Sequence, residues 1–265
     1  MYGPTLDNDL IPDYTANLFR DGKFQKMPTI TGDDTNGGKH RVLLLLQTKP
    51  VTNFAPKGTV FTPRGIANFS QCNTFLKNNF PYITLSQLGM INSLYPVSEQ
   101  PQFPGLVGYY FRACATAYGD MRYTCPGINV TAQYQAYGVS NAWNYLWNVT
   151  DPAIAAQGLG VTHTVELNAI FGPSNIQGSP PASYFPGGVN AAIVPVVQGY
   201  WSSFIRSYNP NTYRLAGSPV WQTQGTSLGP ARLTFRTNAT AMALVDQAVV
   251  RRCNYFDSIA AAIQQ

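Results

Sequence analysis

The apolar residues of this chain never run together for long. The longest aliphatic block, residues 42–46, is far shorter than the roughly 20 residues a membrane-spanning helix needs. Yet 45% of the 265 residues are apolar and 13% are aromatic. Apolar material in such short pieces has to be pooled from many amphipathic elements, into one large core or two small ones. The 20 prolines and 23 glycines supply the turns and long surface loops between those elements. A disordered chain would be poorer in aromatics and richer in charge than this one, whose charged residues amount to 11%.

The elements can be placed by period. Residues 14–24 form an amphipathic stretch broken at Gly22. Residues 27–32 are short, β-branched and glycine-ended, which predicts a buried strand running into the polar turn at 33–38. Helices are expected over 105–118 and 191–207, with a closing helix over 244–263, and 231–235 looks like a strand.

The net charge of +5 invites an anionic partner, but three of the positive charges (Lys39, Arg41 and Lys49) crowd into residues 39–52. The rest are scattered without a basic stripe interleaved with aromatics, which argues against nucleic acid as a partner. No metal-ligand cluster or phosphate-binding glycine loop follows a strand, so neither a metal nor a cofactor is expected. Four cysteines and four sequons, at Asn68, Asn129, Asn148 and Asn238, point to a secreted, extracellular glycoprotein. The residues after Met1 are not those of a signal peptide.

Of the two histidines, His163 has the more suggestive setting, the loop Gly160-Val161-Thr162-His163-Thr164-Val165-Glu166. Histidine is the usual general base for a hydroxyl proton near neutral pH. Taken alone, the residue is better read as a core histidine satisfied by hydrogen bonds. His40 reads as a solvated residue in a basic patch.

Several ordered motifs together change that reading. They are Gly22-Lys23-Phe24-Gln25-Lys26-Met27-Pro28 with the Gly32 turn, Tyr118-Gly119-Asp120 to Cys125-Pro126-Gly127, and the His163 loop. Beyond them come Tyr200-Trp201-Ser202-Ser203-Phe204, Pro210-Asn211, Ser218-Pro219-Val220-Trp221, and Thr237-Asn238-Ala239-Thr240 leading to Arg252-Cys253. In this order they resemble the C-terminal half of type-B carboxylesterases, the family of fungal lipases, carboxylesterases and cholinesterases. The resemblance covers most of residues 2–256.

It implies an α/β class: the C-terminal portion of an α/β-hydrolase fold, an incomplete sheet with flanking helices and long loops. It also implies cleavage of small-molecule or lipid esters through a serine acyl-enzyme. Triad residues follow in the order serine, acid, histidine, and His163 occupies the position of the general base. Glu166 takes a supporting role. The acid position falls on Gly37, which leaves Asp34 or Asp33 as a stand-in, or else as a solvated or strand-capping pair. The sequence Gly225-Thr226-Ser227-Leu228-Gly229 matches the nucleophile pattern G-x-S-x-G. It lies after His163 and before a strand, whereas a nucleophile elbow needs a strand before it and a helix after it.

The nucleophile and oxyanion hole are therefore expected upstream of Met1, and the chain alone is expected to be inactive. Residues 39–52 interrupt the family pattern as a retained intron or a real loop insertion. The resemblance pairs Cys125 with Cys253. Cys114 is left as a buried thiol or as a partner of Cys72. A non-catalytic relative that binds, or a degenerate gene product, is the alternative to an esterase.

Overall fold

The computed structural model describes residues 6–36, 61–63, 65–100, 109–223 and 229–264. Gly37, His40, the 39–52 stretch and Ser227 lie outside the described residues.

Within the amphipathic stretch 14–24, helix α1 covers Thr15–Arg20 and the chain turns at the expected break, Gly22, with φ +72°. A β-carbon there would stand 2.6 Å from the Tyr137 ring. Strands β1 (Thr29–Asp34) and β2 (Ala142–Trp147) pair in parallel from Thr29↔Ala142. β2 continues in parallel to β3 (Ala231–Phe235), which pairs antiparallel with β4 (Ala241–Leu244). The sheet order is β1-β2-β3-β4.

Helix α2 (Phe69–Asn79) starts where the Asn68 side chain accepts the Gln71 N–H. A capping box of Thr84 and Gln87 starts α3 (Leu85–Leu94). α4 (Tyr109–Gly119) runs through a π-helical turn at Asp120–Thr124 into α5 (Cys125–Ala136), which has a proline in its first turn. The short α6 (Pro152–Ala155) and α7 (Leu167–Ile170) flank the His163 loop. α8 (Ile193–Ser207) falls within the predicted 191–207 and stops at Tyr208 in a left-handed conformation, φ 55°.

The closing helix is shorter than its expected 244–263. Leu244 belongs to β4, Asp246 caps α9 (Gln247–Ser258), and a 3₁₀ turn covers Ala260–Ile263. Ala241, Met242, Ala243 and Leu244 are good helix formers, but pairing with β3 overrides that preference.

Helices cover both faces of the sheet, as buried parallel strands require. On one face Trp143, Trp147 and Phe235 pack against Val197 and Tyr200 of α8, with Trp221 between them. Trp221 donates from its indole to Asn144 O at 3.0 Å and receives the Trp143 indole on its own carbonyl at 3.1 Å. Asn144 and Thr31 face α5, where their side chains meet Gly127 O and Thr131. A second core joins α2, α3, α4, the π turn and α9.

Two disulfides cross-link that second core. Cys72–Cys114 ties α2 to α4, so Cys114 is not a free thiol, and Cys125–Cys253 ties α5 to α9.

Candidate functional site

The chain leaves β1 at the end of the sheet where α/β folds carry their sites, beyond the carboxyl ends of parallel strands. Thr35 N–H bonds Trp147 O at 3.0 Å, and Asn36 N–H bonds Val161 O at 2.9 Å. The Asn36 side chain returns the contact by accepting the Val161 N–H at 3.0 Å. A parallel bridge between Asn36 and Thr162 completes the seam. The loop that delivers His163 is thus stitched to the end of β1 like a short additional strand. Gly160 makes the approach possible: its φ is +72°, and a β-carbon there would lie 2.0 Å from Asn36 Oδ1. From the other side, Arg112 of α4, brought down to about 10 by burial, donates to Gly158 O.

His163 is half-buried, with its ring in contact with two aromatic side chains. Tyr123 lies 4.8 Å away, tilted by 32°, and Phe61 lies 5.5 Å away nearly edge-on at 71°. Tyr123 comes from the π turn, which is anchored at both ends. Asp120 accepts from Tyr95 Oη at 2.7 Å and Arg252 Nε at 2.8 Å, while Thr124 Oγ1 donates to Asp33 Oδ2 at 2.9 Å. A π turn adds one residue to a helix and re-aims the side chains within it, which brings Tyr123 to the loop.

The next residue, Thr164, has φ 67°, a conformation that costs a β-branched residue about 1–3 kcal/mol. Two hydrogen bonds hold it there. Its N–H donates to Asp34 Oδ2 at 3.0 Å, and its Oγ1 donates to His163 O at 2.6 Å.

The aspartates are not a solvated pair; both are buried. Asp33 forms an ion pair with Arg232 at 3.0 Å, a partner 199 residues away in sequence. Burial pushes the Asp33 carboxyl up to about 6 despite the nearby guanidinium. Asp34 reaches the His163 loop at the Thr164 backbone and contacts the Glu166 carboxyl. Burial, and then the charge of Glu166, hold Asp34 well above the usual carboxylate range; burial also raises Glu166. Asp34 Oδ1 and Glu166 Oε2 are both buried and meet no donor among the described residues.

The structure therefore brings His163, Asp34, Glu166 and Asp33 to one end of the sheet. Asn36, Thr164, Tyr123 and Phe61 were not singled out by sequence. For Asn36 a signal existed in its place directly after the β1 turn, whereas nothing local marks Tyr123. Among the described residues no group of three or more His, Cys, Asp or Glu side chains could hold a metal ion. Likewise no helix there is long and apolar enough to cross a membrane.

The model of the carboxylesterase family matches residues 1–250. Secreted lipase 4 of Gibberella zeae is 25% identical over 205 residues, which are 76% of this chain and 31% of that protein. The crystal structure of Aspergillus niger EstA superposes with a TM-score of 0.84 at 35% identity, covering 100% of this chain and 46% of EstA. The chain thus spans less than half the length of either protein.

Proposed function

The chain belongs to the carboxylesterase family, and from that premise we propose that it supplies the general-base half of a carboxylic ester hydrolase. In this reading His163 takes the proton from a serine nucleophile and returns it to the leaving alcohol, in a serine acyl-enzyme cycle. The observation that carries the proposal is the stitching of the His163 loop to the end of β1 by Asn36, Gly160 and Asp34. Asp34 is the proposed stand-in acid, supported by its bond to the backbone one residue beyond His163. The nucleophile and oxyanion hole come from a complementary segment. The match to the G-x-S-x-G pattern at residues 225–229 runs directly into β3, the reverse of an elbow's order. Substrates are small-molecule or lipid esters, and the setting is extracellular, as the name of the Gibberella relative states for that protein.

The test is turnover of p-nitrophenyl esters by the purified chain, alone and after refolding with the complementary N-terminal segment of a family esterase. The chain alone should give no turnover above buffer. The complemented enzyme should lose about 10³-fold or more in kcat on His163→Ala. Serine-dependent hydrolysis by the 265-residue chain alone would overturn the division of labour.

Gly37 at the family's acid position favours a second reading, a non-catalytic relative that keeps the scaffold for binding. Complementation that restores the fold without any ester turnover would support it.

A further inference from the structure

The four sequons occupy four different structural settings, and those settings are not equally open to modification. Asn238 is exposed at the turn between β3 and β4, with φ 59°. The turn is held without its side chain, by Ala239 N–H to Arg236 O at 3.1 Å and Thr240 Oγ1 to Arg236 O at 3.0 Å. Asn68 is exposed at the start of α2, where among the described residues only its Oδ1 is engaged, accepting Gln71 N–H at 3.0 Å. A sugar on Nδ2 leaves that cap intact.

The other two amides work inside the fold. Asn129 donates from Nδ2 to Asp257 Oδ1 at 2.7 Å, bridging α5 to α9. The hydroxyl of its sequon, on Thr131, is buried against Thr31 Oγ1 and Gly127 O. Asn148 is half-buried between Trp147 and Val149, both fully packed. With its amide oriented to satisfy its neighbours, it donates to Thr35 Oγ1 at 3.1 Å and accepts from the Arg236 guanidinium at 3.1 and 3.3 Å. An oligosaccharide at Asn129 would wedge α5 from α9, and one at Asn148 would break its bond to Thr35 Oγ1 and displace the Arg236 guanidinium.

We infer that Asn68 and Asn238 are the N-glycan acceptors of this chain and that Asn129 and Asn148 are structural amides that carry none. The inference rests on the secretory reading above. The co-substrate is a polyprenol diphosphate oligosaccharide. A bond forms between the asparagine Nδ2 and the sugar C1, the C1–O bond to the diphosphate breaks, and the amide proton and the polyprenol diphosphate leave. Transfer competes with folding of the emerging segment, and the added sugar has to remain in solvent in the finished fold.

The test directs the whole 265-residue chain into the secretory pathway of a yeast behind a heterologous leader. Medium and denatured cell extract are both digested, and glycans are released with peptide-N-glycosidase in ¹⁸O-water, which mass-tags every formerly glycosylated asparagine. Tags are expected at Asn68 and Asn238 and absent at Asn129 and Asn148. The double variant Asn68→Gln/Asn238→Gln should lose all glycan-dependent mobility. A tag at Asn129 or Asn148, or no tag at Asn68 or Asn238, overturns the assignment. Because entry is imposed by the leader and occupancy is read on the unaltered chain, failure of this pattern is distinct from failure of the secretory or catalytic reading.

Discussion

At the scale of single residues, the His163 loop is a set of local costs balanced by contacts from β1. Gly160 stands where no side chain fits, and Thr164 stands where a β-branched residue is strained. Gly160→Ala should destabilise the chain by more than about 1 kcal/mol, because the substitution meets both a left-handed backbone and the Asn36 amide. An unchanged denaturant midpoint in that variant would remove Gly160 from the argument.

Asp34 carries a pH prediction of definite sign. Its folded carboxyl titrates above its ordinary value of 3.8 because of burial and the Glu166 charge, so the folded state holds protons that the unfolded chain has released. Its contribution to stability is therefore lost as pH rises above about 4, and Asp33, raised to about 6, acts in the same direction between those values. Asp34→Asn keeps an acceptor for Thr164 N–H and removes the charge. Its melting temperature should exceed that of the wild type at pH 8, with the difference closing toward pH 4. Melting curves that diverge toward acid instead would show the sign to be wrong.

At the scale of elements, the π turn at Asp120–Thr124 is the hinge between scaffold and site. Its one buried carboxylate takes Tyr95 and Arg252 together, and its far end bonds Asp33. Asp120→Ala leaves Arg252 without its partner in a largely buried position and should cost about 3–5 kcal/mol in chemical denaturation. A loss below about 1 kcal/mol would mean the turn is held by packing alone.

This is also the scale at which the sequence was least readable. The strand at 231–235 and helix α8 were legible because period, punctuation and residue type agreed locally, whereas the histidine loop took its role only from the family resemblance. β4 was not, since Ala241 to Leu244 favour a helix until β3 lies beside them. Of the readings open for the aspartates, stand-in acid, solvated pair or strand-capping pair, the structure removes only the solvated one, because their burial is set by Arg232, Thr124 and Glu166, all remote in sequence. No local pattern announces a π turn either, so Tyr123 at His163 was invisible.

At the scale of the whole molecule, two covalent loops enclose most of the helical core. Cys125 and Cys253 are separated by 128 residues, and closing a loop of that length restricts the unfolded chain by about 4–5 kcal/mol in the chain-entropy model. The double variant Cys125→Ser/Cys253→Ser should lose stability of that order without losing the sheet. Equal stability of the variant and the wild type by denaturant titration would count against the loop-closure account. The family is the level at which sequence and structure agree most fully: the resemblance read from ordered motifs, the family model over residues 1–250 and the EstA superposition describe one α/β-hydrolase architecture.

The same cross-link decides how the molecule answers a protease. β2, α6, α7, α8, β3 and β4 all lie between the two half-cystines. A single cleavage anywhere in that span opens the backbone but releases nothing. The nicked molecule should migrate as one species on a non-reducing gel and separate into two only when thiol is added, whereas a cut before Cys72 frees its fragment at once.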